Sequence, residues 1–205
     1  MKIFVLHYSK LVERKQNILQ QFSTQNITNY EFIELFDKDV LTNEDKKLFI
    51  PDFKPSLMSL VLKHFYVYKE IAEKYHQALI LEDDVILSNN FTKILNHYLC
   101  QLPNDYDMLF IGNGCNLHID SKLIKPNQNI YLKDKQQVFG FGHQMNATTR
   151  CTDSYIVSNK CAKQLCNYIA NLQYKINLPS DWWINLVDTH NNFNIYWVAT
   201  SSTKT

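Results

Sequence analysis

The sequence predicts an α/β domain with a mainly parallel central sheet flanked by helices. Three observations carry that expectation. Short apolar runs of strand length alternate along the chain with stretches whose apolar residues recur at helical spacing. The run ALIL (78–81) is apolar throughout, as a parallel strand covered on both faces would be. The chain has 205 residues, enough for one full core and too few for two comfortable domains, so residues 1–205 are read as a single domain.

KIFVLHY (2–8) reads as a buried first strand, and Leu11, Lys15, Ile18, Leu19 and Phe22 then follow helical spacing. YEFIELF (30–36) alternates and reads as a second strand. Residues 37–55 carry Pro51 and Pro55 without a sustained pattern, and read as a mobile connection. Ser56 is positioned to cap a helix with one apolar stripe, from Leu57 and Leu60 through Phe65 and Tyr68 to Ala72. After ALIL, Phe91, Ile94, Leu95, Tyr98 and Leu102 mark another amphipathic helix, and DMLFIG (107–112) another buried strand. Residues 113–136 are polar and irregular, and VFGFGH (138–143) reads as a strand running into a loop. SYIVS (154–158) is a strand and 159–171 a helix. SDWWINLVDT (180–189) is a short helix capped by Ser180, and NIYWVA (194–199) is a last strand.

Composition narrows the function classes. Net charge is +1, without the basic excess of a general nucleic-acid binder. The five cysteines are odd in number and show no CxxC spacing, which suggests neither a disulfide framework nor a zinc site; reduced, mostly buried thiols are expected. MKIFVLHY is too short for a signal peptide, and no run of about 18 apolar residues offers a transmembrane segment, so a soluble, cytoplasmic protein is expected. No GxGxxG or GxxxxGK[ST] is present, so any phosphate must be held without the usual glycine cradle.

The informative stretch is ALILEDDVIL (78–87), where Glu82, Asp83 and Asp84 interrupt an apolar run. Adjacent carboxylates repel, and none of them gains from an apolar setting. Ligands of such sheets bind beyond the carboxyl ends of strands, and these acids lie at the end of the ALIL strand. Two alternate carboxylates there can grip a hard divalent cation, manganese or magnesium, whose charge offsets the repulsion and stabilises a leaving diphosphate. The plainer reading is a strand that ends in a solvated turn.

LILEDDVIL followed by NF resembles the central motif of glycosyltransferase family 25, which includes lipopolysaccharide and collagen galactosyltransferases. FVLHYSKLVERK (4–15), SLVLKHFYVYKEI (59–71), DMLFIG, TDSYIVSNKCAKQL (152–165) and PSDWW (179–183) resemble further landmarks of that family in the same order. The resemblance implies a GT-A-like (Rossmann-like) fold, a UDP-sugar donor, manganese dependence and inversion. It departs at His7, where the family has Asn, at Lys63-His64, where it has Ser-His, and at Tyr68, where it has Trp. Asp153 or Ser154 replaces a usual glycine.

On this reading His7, Arg14, Lys63, His64, Glu82 and Asp83 line the donor site, and Glu82, Asp84 and His190 are the candidate metal ligands. Arg14 and Lys63 would balance phosphate charge, unless Arg14 is simply a surface residue. His64 is alternatively a core histidine. Strand alternation points Asp83 away from its two neighbours, so it either joins the donor site or caps the next turn. Asp181 is the candidate catalytic base, with an N-terminal capping role, metal ligation or donor-sugar binding as its alternatives. One of Trp182 and Trp183 should be core and the other a lid or acceptor platform. His190 otherwise belongs to a surface turn, and His143 either closes over the donor or is a solvated loop residue; Tyr155 should pack. The implied activity is transfer of galactose or glucose to a glycan, protein or lipid-linked hydroxyl acceptor. Phosphoryl transfer and a degenerate nucleotide-sugar-binding domain are the competing functions.

Overall fold

The computed structural model describes residues 1–112, 119, 121–133, 149 and 151–199. VFGFGH (138–143) with His143, and Cys115, lie outside the described residues. The described chain is α/β. Its strands are β1 (Lys2–Leu6), β2 (Tyr30–Ile33), β3 (Gln77–Glu82), β4 (Met108–Phe110), β5 (Ile130–Leu132), β6 (Ser154–Ser158) and β7 (Ile195–Val198). They form one sheet in the order β2-β1-β3-β6-β4-β7-β5. β1, β2, β3, β4 and β7 run one way; β5 and β6 run the other. The helices are α1 (Val12–Thr24), α2 (Asn43–Lys47), α3 (Pro55–Lys74), α4 (Phe91–Leu99), α5 (Asn159–Ala170) and α6 (Ser180–Asn191). No described helix is long and apolar enough to cross a membrane.

Alternation along the central strands feeds two cores. Phe4, Ile80, Phe110 and Tyr155 point into the layer of α3, α5 and α6. Val5, Leu79, Leu81, Leu109 and Ile156 point into the layer of α1 and α4. The continuous apolar runs are thus strands covered on both faces.

Several expectations about local structure are corrected. Residues 37–55 are anchored rather than loose. Thr42 and Asp45 form a capping box that starts α2, with Asp45 N–H donating to Thr42 Oγ1 at 3.1 Å and Thr42 N–H to Asp45 Oδ2 at 2.8 Å. Phe49 and Phe53 are buried and stacked at 5.4 Å, and Phe49 bridges to Ile176. Ser56 does not cap α3: Pro55, with φ preset for a helix, takes the first position and Lys54 the cap. Ser180 does not cap α6; Pro179 does, and the Ser180 hydroxyl is turned inward. The irregular stretch after residue 112 also contains a strand, since β5 pairs antiparallel with β7 at the sheet edge. The expectation of mostly buried cysteines is also corrected: of the described ones only Cys161 is buried, Cys151 and Cys166 are half-buried, and Cys100 is exposed.

Lys63 fastens the end of β1 to its surroundings. Its side chain is 3% exposed, and its ammonium donates to Asp37 Oδ1 at 2.7 Å, to Ile33 O at 3.0 Å and to His7 O. All three N–H groups are used. Asp37 also accepts the backbone N–H and the hydroxyl of Ser9, so β1, β2 and the loops that follow them share one buried ion pair. Lys63→Met leaves Asp37 buried without its cation. It should cost about 3–5 kcal/mol and lower the melting temperature by on the order of ten degrees. Thermal unfolding followed by circular dichroism checks this, and an unchanged melting temperature would remove Lys63 from its structural role.

Candidate active site

The site follows from strand direction. Leu6 of β1 and Glu82 of β3 are register partners, so the residues after both strands emerge at one edge. β6 runs the opposite way and pairs Ser154 with Leu81, which brings its amino end to the same edge. The Glu82 N–H donates to Asp153 O at 2.8 Å and ties the acidic segment to the start of β6.

β3 ends at Glu82, and Asp83 and Asp84 lie in the turn beyond it. Alternation therefore does not govern them, and the expectation that Asp83 points away from both neighbours is corrected. Arg14, in the first turn of α1, donates to Asp83 Oδ1 at 2.7 Å and to Asp84 Oδ2 at 3.1 Å. The bond to Asp83 is the chief reason the guanidinium pKa is raised. Asp83 is 7% exposed and also accepts from Tyr8 N–H at 3.3 Å and from His7 Nδ1 at 2.8 Å. His7 is itself buried, and its Nε2 stands 4.0 Å from Glu34 Oε1. Asp83 is thus a buried hub, while the Asp84 side chain is 53% exposed.

Glu82 turns to the opposite layer. Its Oε1 accepts the Thr152 hydroxyl at 2.8 Å, and Thr152 in turn meets the Ser180 hydroxyl at 2.7 Å. Burial pushes the Glu82 carboxyl up from the ordinary 4.5 to about 7, opposed by Thr152 and reinforced by the charges of Asp84, Asp153 and Asp181. Asp153 is pushed up as well, again chiefly by burial. Asp181 lies in the first turn of α6, where Oδ2 accepts Cys151 N–H at 3.2 Å and Oδ1 accepts Trp182 N–H at 2.9 Å. It therefore fixes the approach to β6, and two backbone bonds still leave its oxygens with accepting capacity.

A cleft of about 240 Å³ between the starts of α1 and α3 is lined by His7, Arg14, Lys63, Glu82 and Asp83, so five of the six donor-site candidates share one wall. His64 does not join them. It is buried in the core, bonded through Nδ1 to the Tyr155 hydroxyl at 2.8 Å, and burial lowers its pKa to about 3. Lys63 already spends its N–H groups on protein acceptors, so a direct phosphate contact would have to break one of them. His190 does not reach the acids: it bonds and stacks on Tyr168, and nine residues of α6 separate it from Asp181, about 13 Å along the axis. Trp183 is core, packed on Phe65 and Tyr168, and Trp182 is half-buried. Tyr155 packs on Phe110 as expected.

Among the described residues no group of three or more His, Cys, Asp or Glu is arranged to hold a metal by itself. The donor set still fits a magnesium- or manganese-type ion, which takes one or two carboxylates and completes its shell from phosphate and water. The acids that raise Glu82 supply the unbalanced negative charge that such an ion would neutralise. Asp84 and Glu82 are the residues that would hold it.

The sequence singled out Asp153 or Ser154, through the family resemblance, as a departure lining the donor pocket; it did not reveal that Thr152 joins Glu82 to Ser180 or that Asp153 adds a further carboxylate.

Comparison with known proteins places these observations. The family described as Glycosyltransferase family 25 (LPS biosynthesis protein) matches residues 1–184. The putative glycosyltransferase R655 of Acanthamoeba polyphaga mimivirus is 31% identical over 126 residues, which are 57% of this chain and 38% of the relative. The chain thus spans well under half of that relative's length. A glycosyltransferase involved in the glycosylation of the major capsid of PBCV-1 is similar at a TM-score of 0.43 and 11% identity, over 86% of this chain and 71% of that one. Mouse xyloside xylosyltransferase 1, in its apo form, is similar at a TM-score of 0.44 and 8% identity, over 94% and 69%.

Glu82 gives the site a pH signature. Its folded-state pKa lies above its ordinary value, so the folded protein holds this proton more tightly. The stability that this contributes is complete below the ordinary pKa and is lost as pH rises through about 7. Between about pH 5 and pH 8, up to about 3 kcal/mol should be lost from this group. Urea unfolding across that range should show the fall in wild type and a flatter profile in Glu82→Gln. Equal slopes would mean that Glu82 is ionised throughout.

Proposed function

The chain belongs to glycosyltransferase family 25, and from that premise we propose that it moves a hexose, galactose or glucose, from a UDP-sugar to a hydroxyl acceptor with inversion. The observation that carries this reading is the meeting of Glu82, Asp83 and Asp84 with Arg14 and the segment 152–154 at one sheet edge, beside a cleft whose wall includes His7 and Arg14. Arg14 and the edge of that cleft would orient the diphosphate, and Asp83 holds Arg14 and His7 in place for it. A manganese or magnesium ion held by Asp84 and Glu82 would supply positive charge to the departing diphosphate.

Inversion is one displacement. The acceptor oxygen bonds to the anomeric carbon as the bond from that carbon to the diphosphate oxygen breaks, and the electron pair leaves with UDP. The acceptor's proton passes to a carboxylate, for which Asp181 is the candidate. The acceptor is a glycan, protein or lipid-linked hydroxyl.

Thermal unfolding with a panel of nucleotide sugars, each with manganese or with EDTA, tests the donor assignment. A donor at about 100 times its dissociation constant should add about 2.7 kcal/mol, a shift of several degrees. That shift should need manganese and vanish in Asp84→Asn. Asp181→Asn should keep it and lose transfer by about 10²–10⁴-fold. No shift with any donor rejects the transferase reading. A shift with neither donor hydrolysis nor transfer marks a domain that binds without turnover.

A further inference from the structure

A second cleft, of about 660 Å³, lies under α4. Its floor includes Asp84, Gly112 and Asp153, and its apolar wall includes Leu87, Ile94 and Tyr98. Asp84 on its lining joins it to the acids at the sheet edge, and it shares no lining residue with the cleft that His7 and Arg14 line. Asp153 is held there deliberately by its surroundings. Its backbone carbonyl accepts Glu82 N–H at 2.8 Å, and its carboxylate accepts the Ser154 hydroxyl at 2.7 Å and faces its own backbone N–H. Gly112 makes the room for it: a Cβ at that position would stand 2.4 Å from one Asp153 oxygen and 2.9 Å from the other. The rim carries Ile86, 86% exposed and directly after the acidic turn.

We infer that this cleft takes the acceptor of the proposed transferase, an uncharged sugar joined to an apolar body, and that Asp153 holds a hydroxyl of that sugar other than the reacting one, whose proton goes to Asp181. The inference rests on the transferase reading. A carboxylate offers about four accepting positions, so the Ser154 hydroxyl and the Asp153 N–H leave room for an incoming O–H. The Asp153 carboxylate disfavours a phosphorylated or otherwise anionic acceptor. The Leu87, Ile94 and Tyr98 wall gives an apolar aglycone a surface to leave water on.

Three probes test it by calorimetric titration in the presence of UDP and manganese: n-hexyl β-D-glucopyranoside, methyl β-D-glucopyranoside and glucose 6-phosphate. The hexyl glycoside should bind about tenfold or more tightly than the methyl glycoside, because its chain meets the apolar wall. Glucose 6-phosphate should not bind. Asp153→Asn should weaken both glycosides about equally, and Gly112→Ala should do the same by displacing the carboxylate. Ile94→Ser should abolish only the hexyl preference. Ile94→Ser should keep the manganese-dependent UDP-sugar shift in melting temperature, and circular dichroism should show Asp153→Asn and Gly112→Ala folded. Equal binding of the two glycosides, binding of neither, or unchanged affinity in Asp153→Asn overturns the assignment. Intact glycoside binding without any donor shift instead overturns the transferase reading.

Discussion

Carboxylate crowding at one sheet edge is the constraint on which the rest of this structure depends. Glu82, Asp83, Asp84, Asp153 and Asp181 cannot all be tolerated there on the same terms, and the fold gives each a different answer. Asp83 is buried because Arg14, His7 and a backbone N–H all serve it. Asp84 stays half in water and shares Arg14. Glu82 is buried against hydroxyls rather than cations, and so holds its proton up to about pH 7. Asp181 is occupied with backbone N–H groups at the start of α6. The surplus charge that remains is what a divalent cation at Asp84 and Glu82 would offset.

Much of the framework was legible. The apolar runs located the central strands because both faces of the sheet are covered, and the acid triplet stood out because carboxylates do not otherwise interrupt such runs. Three things were not legible. The direction of SYIVS is set by its partners Leu79 and Leu109, which lie far away in sequence, so residue pattern alone did not bring the run TDS to the sheet edge and only the family resemblance singled it out. The end of β3 falls inside the triplet, and a pattern argument that carried alternation through Asp84 misassigned Asp83. Caps were misread at Ser56 and Ser180 because a proline beside each serine had already decided where the helix begins.

The substituted pair Lys63-His64 shows how neighbouring residues divide the work. Lys63 faces the end of β1, and burial draws its pKa below the usual lysine value while Asp37 opposes that effect. His64, one residue on, faces the core and forms a bonded chain with Tyr155 and Tyr68. A family departure that reads on paper as a change in ligand contacts is here largely a change in internal support. The support is nonetheless close to function, since the residues that Lys63 ties down lead directly into Tyr8, Ser9 and Arg14.

The late insertion of β6 bears on how the chain acquires its shape. β3 and β4 touch only through β6, although β6 follows both in sequence by more than forty residues. While the polypeptide leaves the ribosome, β1, β2 and β3 can assemble early, but β3 keeps an open, apolar margin until Ser154–Ser158 arrives. Strand pairing between distant segments is slow, and exposed margins of this kind favour aggregation. The same strand that completes the acidic site is therefore the one that closes the sheet. A nascent chain can present the crowded carboxylates in their final arrangement only after its vulnerable edge has been covered.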